Sequence, residues 1–168
     1  GLFLQARAYF ELKKYNSGIE KLDQLLNTFM PLRKPIREIH LRVRILVAMQ
    51  RYEQADKVLK DKISKYSEFS LIKQRVEVLK KINDPTRILN VTGYGLGMAT
   101  SSDHGFLFYH RANALYDTKK YDEAVTYYNL ALKNPPIGKV RLIRYRILKI
   151  QYDLGRIPEM LKGAEKFV

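Results

Sequence analysis

Three histidines, His40, His104 and His110, are the first residues to test for chemistry, because imidazole serves both metal binding and proton transfer near neutral pH. Their spacing supports neither role. His104 and His110 stand six residues apart, off a shared helical face, with no carboxylate at metal-ligand spacing on the same helix, and His40 falls among arginines. The chain has no cysteine, which removes thiolate catalysis, disulfides and cysteine zinc sites but leaves the compartment open. Gly93-x-Gly95-x-Gly97 invites a phosphate-loop reading. A dinucleotide fingerprint needs Gly-x-Gly-x-x-Gly, and its last position is Met98 counted from Gly93 and Thr100 counted from Gly95, so both registers fail. No Gly-Lys-Ser/Thr follows, and there is no nucleophile elbow or His-Glu-x-x-His helix. Asn90-Val91-Thr92 is a glycosylation triplet with meaning only in a secreted eukaryotic chain. No catalytic residue, metal ligand or cofactor is therefore expected, and the reading is non-enzymatic.

Charge is the stronger signal. Among 168 residues, 31 lysines and arginines stand against 17 acidic residues, a formal charge of +14. The excess is clustered. Arg33, Lys34, Arg37, Arg42, Arg44, Arg51, Lys57 and Lys60 face only Glu38, Glu53 and Asp56, while Lys139, Arg141, Arg144, Arg146 and Lys149 have no acid among them. Such clusters suit an acidic protein segment, a nucleic-acid backbone or an anionic envelope surface. With 46% hydrophobic and 29% charged residues the chain is globular in composition. No apolar run reaches the roughly 18 residues that a membrane-spanning helix needs.

The elements that must carry these residues are set by a repeat. Leu12-Lys13-Lys14-Tyr15-Asn16-Ser17-Gly18 returns as Met49-Gln50-Arg51-Tyr52-Glu53-Gln54-Ala55, then as Thr118-Lys119-Lys120-Tyr121-Asp122-Glu123-Ala124, and more loosely around Ile157. The gaps Tyr15 to Tyr52, Tyr52 to Tyr121 and Tyr121 to Ile157 are 37, 69 and 36 residues. The middle gap is double, so a hidden unit is expected with its turn near Asn83-Asp84-Pro85. A period in the mid-thirties means stacked helical hairpins. The flanks agree: Phe108, Ala112 and Leu115 precede Tyr121 at helical spacing, and Ala124, Tyr128, Ala131 and Leu132 follow it. Ala6, Tyr9, Leu22, Leu25 and Leu26, and then Val43, Leu46, Ala55, Leu59 and Ile63, hold the matching places in the first two units. Pro31, and Pro135 with Pro136, are the expected helix stops.

Residues 90–104 fit the repeat least. Three glycines in Gly93–Gly97 and the run Thr100–Gly105 are expected to give a short or broken helix and then a mobile loop before Phe106; the alternative is a helix whose glycines allow tight packing.

The hairpins resemble the tetratricopeptide repeat, with Phe108, Ala112, Leu115, Tyr121, Ala124, Tyr128, Ala131 and Pro136 carrying the likeness best. Arg111 stands where leucine is usual, Gly18 where alanine is, and Lys62 where a small residue is. The resemblance implies an all-α, right-handed superhelical solenoid of about five units, near 1–33, 36–67, 69–104, 105–138 and 140–168, the third degenerate. Because the chain opens on Gly1, inside a first helix, and closes at Phe167-Val168 with no polar cap, an excerpt of a longer array is expected.

The resemblance further implies a concave groove lined by the first helix of each hairpin, and a binding or scaffolding role. In that register the lining is Phe3, Arg7 and Phe10, then Arg37, His40 and Arg44, then Lys73, Glu77 and Lys80, then Tyr109, Asn113 and Tyr116, and finally Tyr145, Lys149 and Tyr152. Arg37, Arg44, Lys73, Tyr109, Asn113, Tyr116, Tyr145 and Lys149 are the expected contacts for an acidic or extended protein segment, within a multi-subunit complex. The family's clamp for a C-terminal carboxylate is incomplete, since Tyr109 precedes Asn113 by a turn and Arg146 stands where asparagine belongs. Binding of RNA or single-stranded nucleic acid is the first alternative, and an envelope-associated assembly, secretion or motility component the second. Cytoplasm and periplasm are both compatible, and the oligomeric state is open.

Overall fold

A computed structural model describes residues 1–28 and 34–164. Among them lie ten α-helices and no strand: α1 (Leu2–Glu11), α2 (Tyr15–Thr28), α3 (Ile36–Ala48), α4 (Tyr52–Tyr66) and α5 (Phe69–Ile82). They continue as α6 (Pro85–Leu96), α7 (Ser101–Asp117), α8 (Tyr121–Leu132), α9 (Val140–Asp153) and α10 (Ile157–Ala164). Pro31, Arg33 and the terminal Phe167-Val168, all invoked above, lie outside the described residues.

One backbone device recurs at every hairpin turn. Lys13, Gln50, Asn83, Lys119 and Gly155 all adopt positive φ, between 58° and 69°. The spacings of 37, 33, 36 and 36 residues are those of the repeat, and Asn83 stands at the turn expected for the hidden unit. At four of the turns the next N–H reaches back five residues: Lys14 to the Tyr9 carbonyl, Arg51 to Leu46, Lys120 to Leu115 and Arg156 to Gln151, at 2.8–2.9 Å. This closes the orphan carbonyls of each first helix in a Schellman cap. The fifth turn is built differently. Asp84 accepts from the Arg87 N–H at 2.9 Å as an N-cap, and Pro85, which has no N–H to lose, opens α6.

The chain divides into two compact units, Gly1–Asn83 with α1–α5, and Asp84 onward with α6–α10. In the first, Ala6, Leu22, Leu41 and Ile45 form a core on which Phe3, Phe10, Tyr15 and Met49 pack. At Gly18, where alanine is usual, a Cβ would fit tightly, 3.1 Å from Ile45 Cδ1 and 3.4 Å from the Ala6 carbonyl oxygen. In the second, Ala112, Leu115, Ala124, Tyr128, Ala131, Ile143 and Ile150 are buried together.

Arginines tie successive hairpins. Arg42, Arg75 and Arg111 each stand eight residues before the left-handed turn residue of their own hairpin. Arg42 pairs with Asp23 of α2, and Arg75 Nε donates to Asp56 Oδ1 of α4 at 2.6 Å, each across 19 residues. Arg111 Nη1 donates to the Leu89 carbonyl of α6 at 2.8 Å, and its guanidinium lies 5.0 Å from the Tyr127 ring. Arg111 is thus the third member of a column in which the cation reaches back to the preceding helix.

The broken helix and loop expected over 90–104 are corrected. Residues Pro85–Leu96 form one helix through Gly93 and Gly95, and α7 begins at Ser101, so only Gly97–Thr100 connect them. Gly95 and Gly105 are packing residues, whereas Gly93 and Gly97 are exposed. Gly95 is buried, and a Cβ on Gly105 would strike the backbone of Asn134 at the end of α8, 2.7 Å from the carbonyl carbon. Close helix approach outweighs the helix-propensity cost of about 1 kcal/mol per glycine.

Candidate functional site

Counting back from each left-handed turn residue, the first helices offer three columns, at ten, six and three residues before it. The ten-back column is Phe3, His40, Lys73, Tyr109 and Tyr145; the six-back column is Arg7, Arg44, Glu77, Asn113 and Lys149; the three-back column is Phe10, Val47, Lys80, Tyr116 and Tyr152. Arg37, one turn before His40, lies outside these columns. Arg37, Arg44 and Lys73 belong to the first unit, and Tyr109, Asn113, Tyr116, Tyr145 and Lys149 to the second.

On the first unit, cations lie over aromatic rings. The exposed Arg37 of α3 lies 4.9 Å from the Phe3 ring of α1, and the exposed Arg44 lies 4.7 Å from Phe10. On α5, Lys73 Nζ is 5.1 Å from Phe69, one turn earlier. Stacking fixes each charge while leaving its outer face to solvent. His40 is held by hydrogen bonds, Nδ1 to Gln74 Oε1 at 2.6 Å and Nε2 to Ser70 Oγ at 3.2 Å, joining α3 to α5. A groove of about 400 Å³ lies beside Arg44, floored by Phe10, Val43, Val47 and Val78, with Glu77 and Lys81 at its rim.

The second unit is aromatic and more deeply polar. Tyr109, expected as a contact, is only 6% exposed and belongs to the core, with its ring 5.0 Å from that of the buried His110. Asn113, also expected as a contact, is engaged internally. Its Oδ1 accepts the Tyr128 hydroxyl at 2.7 Å and a guanidinium N–H of Arg146. Arg146 Nη1 also donates to the Tyr128 oxygen at 2.9 Å, and its guanidinium carbon lies 5.5 Å from the Tyr116 ring. Burial pushes the Tyr128 phenol up to about 12 against the opposing pull of Arg146, so it is neutral across the physiological range. Burial is the largest single influence on Arg146 and works against its charge, but the bond to Tyr128 together with the attraction of Tyr128, Tyr109 and Asp117 leaves the guanidinium above its ordinary value. Tyr116 is half-buried, and Tyr145 and Tyr152 are 59% and 64% exposed. Lys149 pairs with Asp153 at 2.9 Å; that hydrogen bond raises its pKa, so Lys149 is not a free cation.

Arg146 is the residue that sequence reasoning missed. In the sequence it stands as a fault in a clamp; its signal is its place on α9, one turn before Lys149, and the structure sets it against Asn113. The histidines hold no metal arrangement, and among the described residues no cluster of histidines and carboxylates does so either. No helix among the described residues is long and apolar enough to cross a membrane.

Comparison with known proteins fits this geometry. The tetratricopeptide-repeat family matches residues 107–136 and again, through a second version of the repeat, residues 1–29. Among curated proteins no sequence matches significantly. YrrB, described as a TPR protein with an unusual peptide-binding site, superposes with a TM-score of 0.72 at 13% identity, over 98% of this chain and 82% of its own. MamA superposes with a TM-score of 0.75 at 10% identity, covering 96% of this chain and 91% of its own. The MamA RS-1 ArsTM double mutant gives 0.74 at 13%, covering 99% and 88%. At such identities the likeness is one of fold. Two matched repeats, five hairpin turns of one period and an all-helical architecture agree: the chain is a helical solenoid of the tetratricopeptide-repeat superfamily.

Proposed function

We propose that the chain is a non-catalytic protein-interaction scaffold, and that its first helices receive an acidic, extended segment of a partner protein. The observation that carries this reading is the placing of Arg37 over Phe3 and Arg44 over Phe10, exposed guanidiniums oriented by aromatic rings, with Lys73 set over Phe69 on α5. A stacked guanidinium keeps its fork of donors free for a carboxylate, and the apolar groove beside Arg44 suits a neighbouring side chain of the same segment. On the second unit Tyr116 and Tyr145 are the proposed aromatic contacts, and Lys149, held by Asp153, adds charge on the same helix as Tyr145.

Nuclease-treated host lysate passed over the immobilised chain at about 150 mM salt tests the reading. The unaltered chain should capture a defined set of proteins that Arg44→Glu with Lys149→Glu fails to capture, at unchanged helicity. Loss of all capture on nuclease treatment overturns it. So does a salt response as steep as that of six to ten phosphate contacts, which lose about 10³ to 10⁵ in affinity between 50 and 200 mM.

A further inference from the structure

Five of the partly buried arginines among the described residues fall into two groups. Arg42, Arg75 and Arg87 each have an aspartate, Asp23, Asp56 and Asp84, at ion-pair distance, and Arg111 is spent on a backbone carbonyl and a ring. Arg146 differs from all of them. Its partners are the Asn113 amide oxygen, the Tyr128 hydroxyl and the face of Tyr116, all neutral. Both polar contacts use Nη1, and the charge of Asp117 acts on it only from a distance.

Withdrawing a guanidinium from water is costly, and proteins ordinarily offset the cost with a carboxylate. Here dipoles hold the cation in place without cancelling its charge. Tyr128 cannot become the counter-ion, because burial keeps its phenol protonated. Nε and Nη2 are left as a paired donor edge, the geometry that matches two carboxylate oxygens. The half-buried Tyr116 ring lies 5.5 Å from the guanidinium carbon, and Tyr145, the preceding residue on α9, is largely exposed. Lys149 adds positive charge one turn away, although Asp153 already holds it.

We propose that Arg146 is the specificity-determining anchor of the second unit, binding an aspartate or glutamate side chain of an extended protein segment as a forked pair, with Asn113 and Tyr128 fixing the fork. This rests on the scaffold reading above and names the residue and the ligand group that it lacks.

The probe is a fluorescein-labelled, C-amidated twelve-residue peptide of alternating Asp and Glu, beside its Asn/Gln counterpart, read by anisotropy with the whole chain at about 150 mM salt. The unaltered chain should bind the acidic peptide and not the amide one. Arg146→Lys keeps the charge but loses the fork, and should weaken binding about tenfold. Arg141→Lys, at an exposed position of the same helix, should change it less than twofold. Because Arg146 supports Tyr128, a second measurement avoids any variant: in a ¹⁵N spectrum of the unaltered chain, the Arg146 Nε–H resonance should move on addition of the acidic peptide. Binding by the unaltered chain with no effect of Arg146→Lys and a stationary Nε–H overturns this proposal and leaves the scaffold reading standing. No binding of the acidic peptide overturns both. Tighter binding of a labelled oligothymidylate than of the acidic peptide, lost in Arg146→Lys, reassigns the fork to phosphate and also overturns it.

Discussion

Gly105→Ala sets local propensity and packing against each other with opposite signs. In an exposed helix interior, replacing glycine by alanine gains about 1 kcal/mol. In α7 the added Cβ would fall far inside van der Waals contact with the Asn134 carbonyl oxygen and 2.7 Å from its carbonyl carbon. Carbon atoms pack at about 3.5–4.0 Å, so α7 and the end of α8 must separate by roughly an ångström. Backbone, unlike a side-chain tip, cannot swing aside. The separation would loosen contacts around Leu107 and Ala131, both fully buried. Overpacking of this kind costs about 1–3 kcal/mol, and a clash with backbone belongs at the upper end; less the propensity gain of about 1 kcal/mol, a net loss of up to about 2 kcal/mol is expected. Gly97→Ala is the control. Gly97 ends α6 in an ordinary right-handed conformation, with the nearest atom 3.7 Å from an added Cβ, so the change should be neutral or mildly stabilising. Urea unfolding followed by circular dichroism and tyrosine fluorescence gives both midpoints, and two probes are needed because repeat arrays need not melt as one. A Gly105→Ala midpoint equal to or above that of the unaltered chain would refute the close approach.

Two further outcomes follow from buried polar groups. Arg75→Met takes the Arg75 guanidinium away from Asp56, 7% of whose side chain is exposed, and should cost about 3 kcal/mol in urea unfolding; adding Asp56→Leu should recover much of the loss. Tyr128 has a folded pKa of about 12 against an ordinary 10, so the folded state holds its proton more tightly. Its contribution, about 2–3 kcal/mol, is therefore complete below pH 10 and lost as the pH rises toward 12. Absorbance at 295 nm should show one tyrosine ionising only with unfolding, and Tyr128→Phe should remove that late step.

Much of this fold is visible in the sequence because its period is carried by the turns. The doubled gap between Tyr52 and Tyr121 places a turn near Asn83, and Asn83 has the left-handed backbone of the other turns. Gly93–Gly105 misleads for a definite reason: propensity is a property of the residue alone, whereas the need for glycine at 105 is set by Asn134, 29 positions away. Arg111 looks like a fault when compared with a usual leucine, yet beside Arg42 and Arg75 it is a column, which comparison among the chain's own repeats would have revealed. At the surface the limits are sharper. Helical spacing locates Tyr109 and Asn113 on the expected face, but only packing tells that one is buried and the other already bonded to Tyr128 and Arg146.

The arginine column also bears on how the chain is made. Its ties close loops of only 19 to 22 residues, from Asp23 to Arg42, from Asp56 to Arg75 and from Leu89 to Arg111. Short closures carry a small entropic penalty and favour fast folding. On a ribosome emitting residues from the amino end, Asp56 is already outside when Arg75 emerges, and nothing downstream is required to join them. Each new hairpin can be fastened to its predecessor as it appears, which shortens the time that an apolar helix face spends uncovered in the crowded space around the exit tunnel.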